Sequence, residues 1–180
     1  MSDTPLDIIV GGAGDRLFRC AKRYADDYAA RYSDRRVIYL PQGKRRTLEK
    51  LIAASDRPNL IGHSWGAADV SWAAQRADKP LGLVIGIDGV GKPGPWRPCP
   101  IEATAILSVR GVGSEGRLSD GNLTAWMGRG IGHAFPEVFK APEAIRLNAP
   151  FAHYAMTAMM RHPGEDGRSA EDWLLDKVVV

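Results

Sequence analysis

Cysteine is scarce in this chain, with only two residues among 180, and neither sits in a pattern that would use it. Cys20 falls in a helical stretch and Cys99 in a proline-rich loop, with no CxxC or Cys/His spacing nearby. Free thiols are therefore expected, in place of a disulfide framework or a zinc site. Charge of one sign is also lacking: 24 Lys and Arg face 21 Asp and Glu, a net of +3, scattered without a block. That balance argues against a nucleic-acid or membrane-surface partner. No apolar run is long enough to span a bilayer, and "MSDTPLDIIVGGAGD" carries acidic residues where a signal peptide needs basic ones. No membrane insertion and a cytoplasmic location are expected. Neither G-x-x-x-x-G-K-[ST] nor H-E-x-x-H occurs, so no metal and no cofactor are expected.

What is present is core-forming sequence. With 44% hydrophobic residues, the chain can bury one respectable core and is too short for two ordinary ones, so residues 1–180 read as a single domain. "LDIIV" is a short apolar run stopped by the glycine turn "GGAGD". Leu17, Ala21, Tyr24, Tyr28 and Tyr32 then recur every three or four residues, opposite Arg16, Arg19, Lys22, Arg23 and Asp26, which predicts one amphipathic helix. "RVIYL" and "NLIGHS" read as further strands, with a helix between them around Thr47–Ile52 that Pro58 closes off. A helix over "AADVSWAAQRA" follows, then strands at "LGLVIGID" and "ATAILSV", a weaker one at "AIRLN", and a short capped helix after Ser169.

Strands apolar on both faces, alternating with helices, predict an α/β fold: a doubly wound, mostly parallel sheet of five to six strands with helices on both faces. Such sheets hold their ligands in the loops at the carboxyl ends of the strands. The proline-dense loop Gly89–Pro100 is long enough to line a site or to be a rigid surface connection.

One of those loops carries chemistry. "GHSWG", Gly62 to Gly66, matches G-x-S-x-G, with a strand entering it and an alanine-rich helix leaving it. A nucleophile at the apex of such a turn sits on strained backbone, and Gly62, Gly66 and Ala67 let strand and helix approach. The helix amino terminus under Ser64 offers free N–H groups to an oxyanion.

The pattern and the order of strands resemble the α/β-hydrolase family, in a small form without an insertion long enough for a cap domain. The resemblance implies a triad in the chain order serine, acid, histidine. It implies Ser64 as nucleophile and His153, after "AIRLNAPF", as general base, with His133 in "GIGHAF" as the rival. His63 occupies the motif's variable position and His162 reads as an exposed helix cap. Asp88, at the end of "LVIGID", is the preferred acid; Glu115 and Asp120 lie where members with the acid one strand later would carry it. The loop "GGAGD" stands where the family has its oxyanion loop, though without the HG dipeptide, so the N–H groups of Ala13, Gly14 and Trp65 are the expected donors. Trp65, Trp96 and Trp126 are available to line the acyl or leaving-group side.

The resemblance implies a small-molecule ester or thioester as partner. Two other readings stay open: a non-catalytic interaction module on the same fold, and a nucleotide-binding flavodoxin-like domain. The latter rests on two G-x-G-x-x-G matches, Gly89–Gly94 and Gly111–Gly116, neither of which runs into a helix as a dinucleotide fingerprint must.

Overall fold

β1 (Leu6–Val10) is buried at every position, and that burial sets the architecture: Ile8 and Val10 point to one face of a sheet, Ile9 to the other. The computed structural model describes residues 4–90, 103–111 and 144–176. Within them β1 is joined by β2 (Arg36–Leu40), β3 (Asn59–His63), β4 (Leu81–Ile87), β5 (Ala103–Gly111) and β6 (Ala144–Ala149). They form a six-stranded sheet in the order β2-β1-β3-β4-β5-β6, every pair parallel. The weak run "AIRLN" is thus a sixth strand, in register with β5 through Leu107↔Ile145 and Val109↔Leu147.

Helices cover both faces, as parallel strands without a wet side require. On one face α2 (Cys20–Arg31), α5 (Met156–Arg161) and α6 (Ala170–Asp176) pack Ala21, Tyr24, Tyr28, Met156, Met159, Met160, Trp173 and Leu174 onto the strand residues of Ile9's side. On the other, α3 (Arg45–Ala53) and α4 (Trp65–Ala74) bring Leu48, Ile52, Val70, Ala73 and Ala74 to the side of Ile8 and Val10. Ser169 opens α6 with a capping box: its hydroxyl accepts from the Asp172 N–H at 3.1 Å, while its own N–H donates to the Asp172 carboxylate at 2.7 Å.

The single helix expected from Leu17 onward is broken. α1 (Asp15–Phe18) ends at Arg19, whose φ of 53° places it in the left-handed region, and α2 starts after it. The cause is Asp15. Its carboxylate turns back to accept from the Ala21 and Lys22 N–H groups at 2.7 and 3.2 Å, satisfying the first turn of α2, and a continuous helix would carry it away from them. Leu17 therefore leaves the apolar stripe and is 79% exposed, whereas Ala21, Tyr24 and Tyr28 are buried as the periodicity predicts.

From β1 the chain moves outward to β2, then returns past β1 to β3 and continues the other way. The loops after β1 and β3 therefore face each other at the carboxyl edge where strand order reverses, the place such folds keep for ligands. Among the described residues, no helix is long and apolar enough to cross a membrane.

Candidate active site

Ser64 follows β3 directly and precedes α4, with φ 55° and ψ −126°, a conformation that side chains other than glycine rarely adopt. Neighbouring strands hold it there. Its N–H donates to the Ile87 carbonyl at the end of β4 at 3.0 Å, and its carbonyl accepts from Ala67 and Val90. The turn is tight because the flanking glycines make it so: a Cβ on Gly62 would lie 2.5 Å from the Ala67 Cα.

Asp88 extends from β4 with φ 41°, its N–H donating to the Val109 carbonyl of β5 at 2.6 Å. His153 lies in the turn between β6 and α5. Though far apart in sequence, the three side chains meet: His153 Nδ1 is 2.6 Å from Asp88 Oδ2, and His153 Nε2 is 2.9 Å from Ser64 Oγ. A carboxylate can only accept, so Nδ1 carries the proton and donates to Asp88; Nε2 is then left to accept from the Ser64 hydroxyl. All three residues are buried, with His153 only 1% exposed.

The loop after β1 closes over the serine. A Cβ on Gly12 would stand 2.6 Å from Ser64 Cβ, so only glycine lets this backbone pass. Gly11 gives its N–H to the Leu40 carbonyl, while the N–H groups of Ala13 and Gly14, the expected donors, have no backbone partner among the described residues. Trp65 begins α4 directly after Ser64, so its N–H has no carbonyl one turn back within that helix. Gly12 is the contact that sequence reasoning missed; its signal was a second glycine at a strand end facing the elbow.

Among the described residues, two other histidines lie outside this chain of hydrogen bonds. His162 caps the end of α5, half-buried and edge-on to Phe151 at 5.4 Å, and so is not the exposed cap that was expected. His63 is buried behind the triad, its ring 4.9 Å from that of His153. His133, Glu115, Asp120, Trp96, Trp126, Cys99 and all or part of both glycine-rich matches fall outside the described residues.

Beside the triad, Phe18 and Tyr154 stack at 4.5 Å, and Tyr154 meets the His153 ring edge-on at 5.2 Å. They wall a cavity of about 470 Å³ that also reaches Cys20, Arg23, Met156 and Thr157.

A strand–elbow–helix turn, a parallel sheet and a histidine loop after the last strand together invite comparison with solved structures. A serine-to-alanine variant of the pyrethroid hydrolase PytH matches over 87% of this chain and 92% of its own, at 16% identity and a TM-score of 0.50. The chain has an α/β-hydrolase fold. A protein described as a YdeN-like hydrolase from Pectobacterium atrosepticum matches at 11% identity over 81% of this chain and 78% of its own, TM-score 0.40. The pyrethroid hydrolase from Sphingobium faniae matches at 25% identity and TM-score 0.37, over 49% of this chain, which spans 41% of that hydrolase's length. No family model and no curated protein matches the sequence. In this α/β-hydrolase fold the carboxyl edge of β1, β3 and β4 and the turn after β6 carry Gly12, Ser64, Asp88 and His153.

Proposed function

We propose that the chain is a serine hydrolase that cleaves a carboxylic ester or thioester through an acyl-enzyme on Ser64. The observation that carries this reading is the hydrogen-bonded chain Ser64–His153–Asp88, at 2.9 and 2.6 Å, on a strained elbow. A serine hydroxyl is a weak nucleophile until a base takes its proton. In the proposed cycle His153 Nε2 accepts that proton as Ser64 Oγ attacks the carbonyl carbon, and Asp88 stabilises the imidazolium that forms. The tetrahedral oxyanion is met by N–H groups of Trp65 and of the Ala13–Gly14 loop, where one donor is typically worth about 10²–10³ in rate. His153 then protonates the leaving alcohol or thiol. Water, deprotonated by the same nitrogen, cleaves the acyl-enzyme and restores the serine.

Hydrogen-bond spacing along all three groups weighs against a non-catalytic interaction module, which has no need of it.

Wild-type protein is expected to label with a fluorophosphonate probe and to turn over a short-chain nitrophenyl ester. Ser64→Ala is expected to lose labelling and at least about 10⁴-fold in kcat. Absence of both activities in wild type, or undiminished labelling of Ser64→Ala, overturns the proposal.

A further inference from the structure

His63 stands at the tip of β3, one residue before Ser64, and its ring turns away from the Ser64 hydroxyl. Its Nε2 instead lies 2.8 Å from the backbone carbonyl oxygen of His153. A carbonyl can only accept, so Nε2 carries a hydrogen and donates. The other ring nitrogen, Nδ1, faces Cys20 Sγ at 3.6 Å, and that thiol donates to Asp15 Oδ1 at 3.1 Å. Asp15 is itself fixed by the Tyr39 hydroxyl at 2.5 Å and by the Ala21 N–H at 2.7 Å. A partly buried line of contacts therefore runs from β2, through the last residue of the loop over Ser64, to the backbone of the histidine turn.

We infer that His63 is a positioning residue for His153, with its Nε2–H pinning the His153 carbonyl while the Cys20 sulfur packs against the Nδ1 edge of the His63 ring. The inference rests on the serine hydrolase reading for its catalytic meaning, though not for its hydrogen bonds. His153 sits in a turn, between the Phe151 N–H bonded to the Ala149 carbonyl and the Ala155 N–H bonded to the Ala152 carbonyl. Its ring must serve two partners at once, and a turn that drifts by about 1 Å loses roughly 10²-fold in rate. Fixing the carbonyl of the same residue removes that freedom.

The charge state suits the role. The groups facing His63 are His153, Cys20, Asp15 and Asp88. Burial, and after it the nearby His153, pull the His63 imidazole down to about 4. A neutral ring 4.9 Å from His153 does not oppose the imidazolium that catalysis forms there. Cys20 is no rival nucleophile, since burial and then Asp15 push its thiol up to about 12.

The test compares His63→Gln, whose amide nitrogen can reach the carbonyl as Nε2 does, with His63→Phe, which keeps the ring and loses the donor. With folding checked by thermal melting, Phe is expected to lower kcat on the nitrophenyl ester by about 10–100-fold with little change in KM, and Gln to recover most of it. A packing role predicts the opposite order, so Phe equal to or better than Gln overturns the inference. A second measurement needs neither turnover nor a variant. Nitrogen-15 NMR of histidine-labelled wild type at neutral pH is expected to show His63 protonated at Nε2 and bare at Nδ1; the other tautomer overturns the inference. If wild type proves inactive, the hydrolase reading fails by itself. The inference then stands or falls on whether the His153 ring resonances shift in His63→Phe and return in His63→Gln.

Discussion

Burial keeps the His63 imidazole neutral, and this gives the fold an acid sensitivity of its own. Its imidazole titrates at about 4 in the folded chain, held down first by burial and then by His153, against 6.5 when unfolded. The unfolded chain therefore takes up the proton more readily. The stability this represents is present in full above about pH 6.5 and is lost as pH falls toward 4, on the order of 3 kcal/mol. Urea unfolding of wild type at pH 7, 5.5 and 4.5 is expected to show that decline, and His63→Gln to flatten it; equal slopes in the two proteins would refute the assignment. Asp15 acts in a lower window. Burial alone would raise its carboxyl, but donors from Tyr39, Cys20 and the Ala21 N–H outweigh it and hold it below the ordinary range. Sequence reading set His63 aside as the motif's variable position, apart from the base of Ser64. That much agrees with the structure, yet what His63 points toward is the turn after β6, some ninety residues on, and nothing local to "GHSWG" announces it. Ser64 is legible for the opposite reason: strand, glycines and helix are contiguous. The Gly12 contact depends on which strands are neighbours, and the local Cys20–Asp15 pair depends on the break at Arg19, so neither was legible.

At the scale of elements, the fit of α4 against β1 aims the elbow. A Cβ on Gly66 would lie 2.3 Å from the Val10 carbonyl oxygen and 2.7 Å from that of Gly11. Both neighbours are backbone, at the end of β1 and the start of the loop over Ser64, so neither can swing aside. In an exposed helix Gly→Ala gains up to about 1 kcal/mol. Here the overlap outweighs that gain, and Gly66→Ala is expected to lose about 1–3 kcal/mol. The fluorophosphonate labelling rate should fall with it, because the displaced backbone carries Gly11 and Gly12. A denaturation midpoint equal to or above wild type would show that α4 is free to move. The elements themselves were largely readable, since apolar runs on a buried parallel sheet are unambiguous, and even "AIRLN" found its place as β6. The break at Arg19 was not readable. The spacing of Leu17, Ala21 and Tyr24 satisfies a helix perfectly well, and only the returning carboxylate of Asp15 shows why the chain departs from it.

Across the whole molecule the sheet has two polar ends with different tasks. The carboxyl edge holds the serine, histidine and aspartate; the amino edge holds a buried ion pair. Arg35, just before β2, grips Asp7 of β1 with two hydrogen bonds of 2.7 Å, and both side chains are at most 2% exposed. Asn59, first in β3, donates to the same carboxylate at 2.7 Å, and its Oδ1 accepts from the Leu83 N–H of β4 at 2.7 Å. Four strands are thus tied at the end away from the chemistry. A buried pair of this kind gains little over an apolar replacement but is costly to break from one side. Arg35→Met alone leaves the Asp7 charge uncompensated, and a loss of about 3–5 kcal/mol is expected. Adding Asp7→Leu removes that charge and should recover part of the loss, short of wild type because the Asn59 amide is left without its acceptor, at about 1–3 kcal/mol. Because the network lies at the opposite edge from Ser64, kcat of whatever folds should stay near wild type in both variants. Urea midpoints and esterase turnover, the latter normalised to titrated active sites, measure the two halves of this expectation separately. A double variant no more stable than Arg35→Met would mean that the pair acts through something other than mutual charge compensation. A large fall in kcat per active site would mean that the amino edge tunes the site after all.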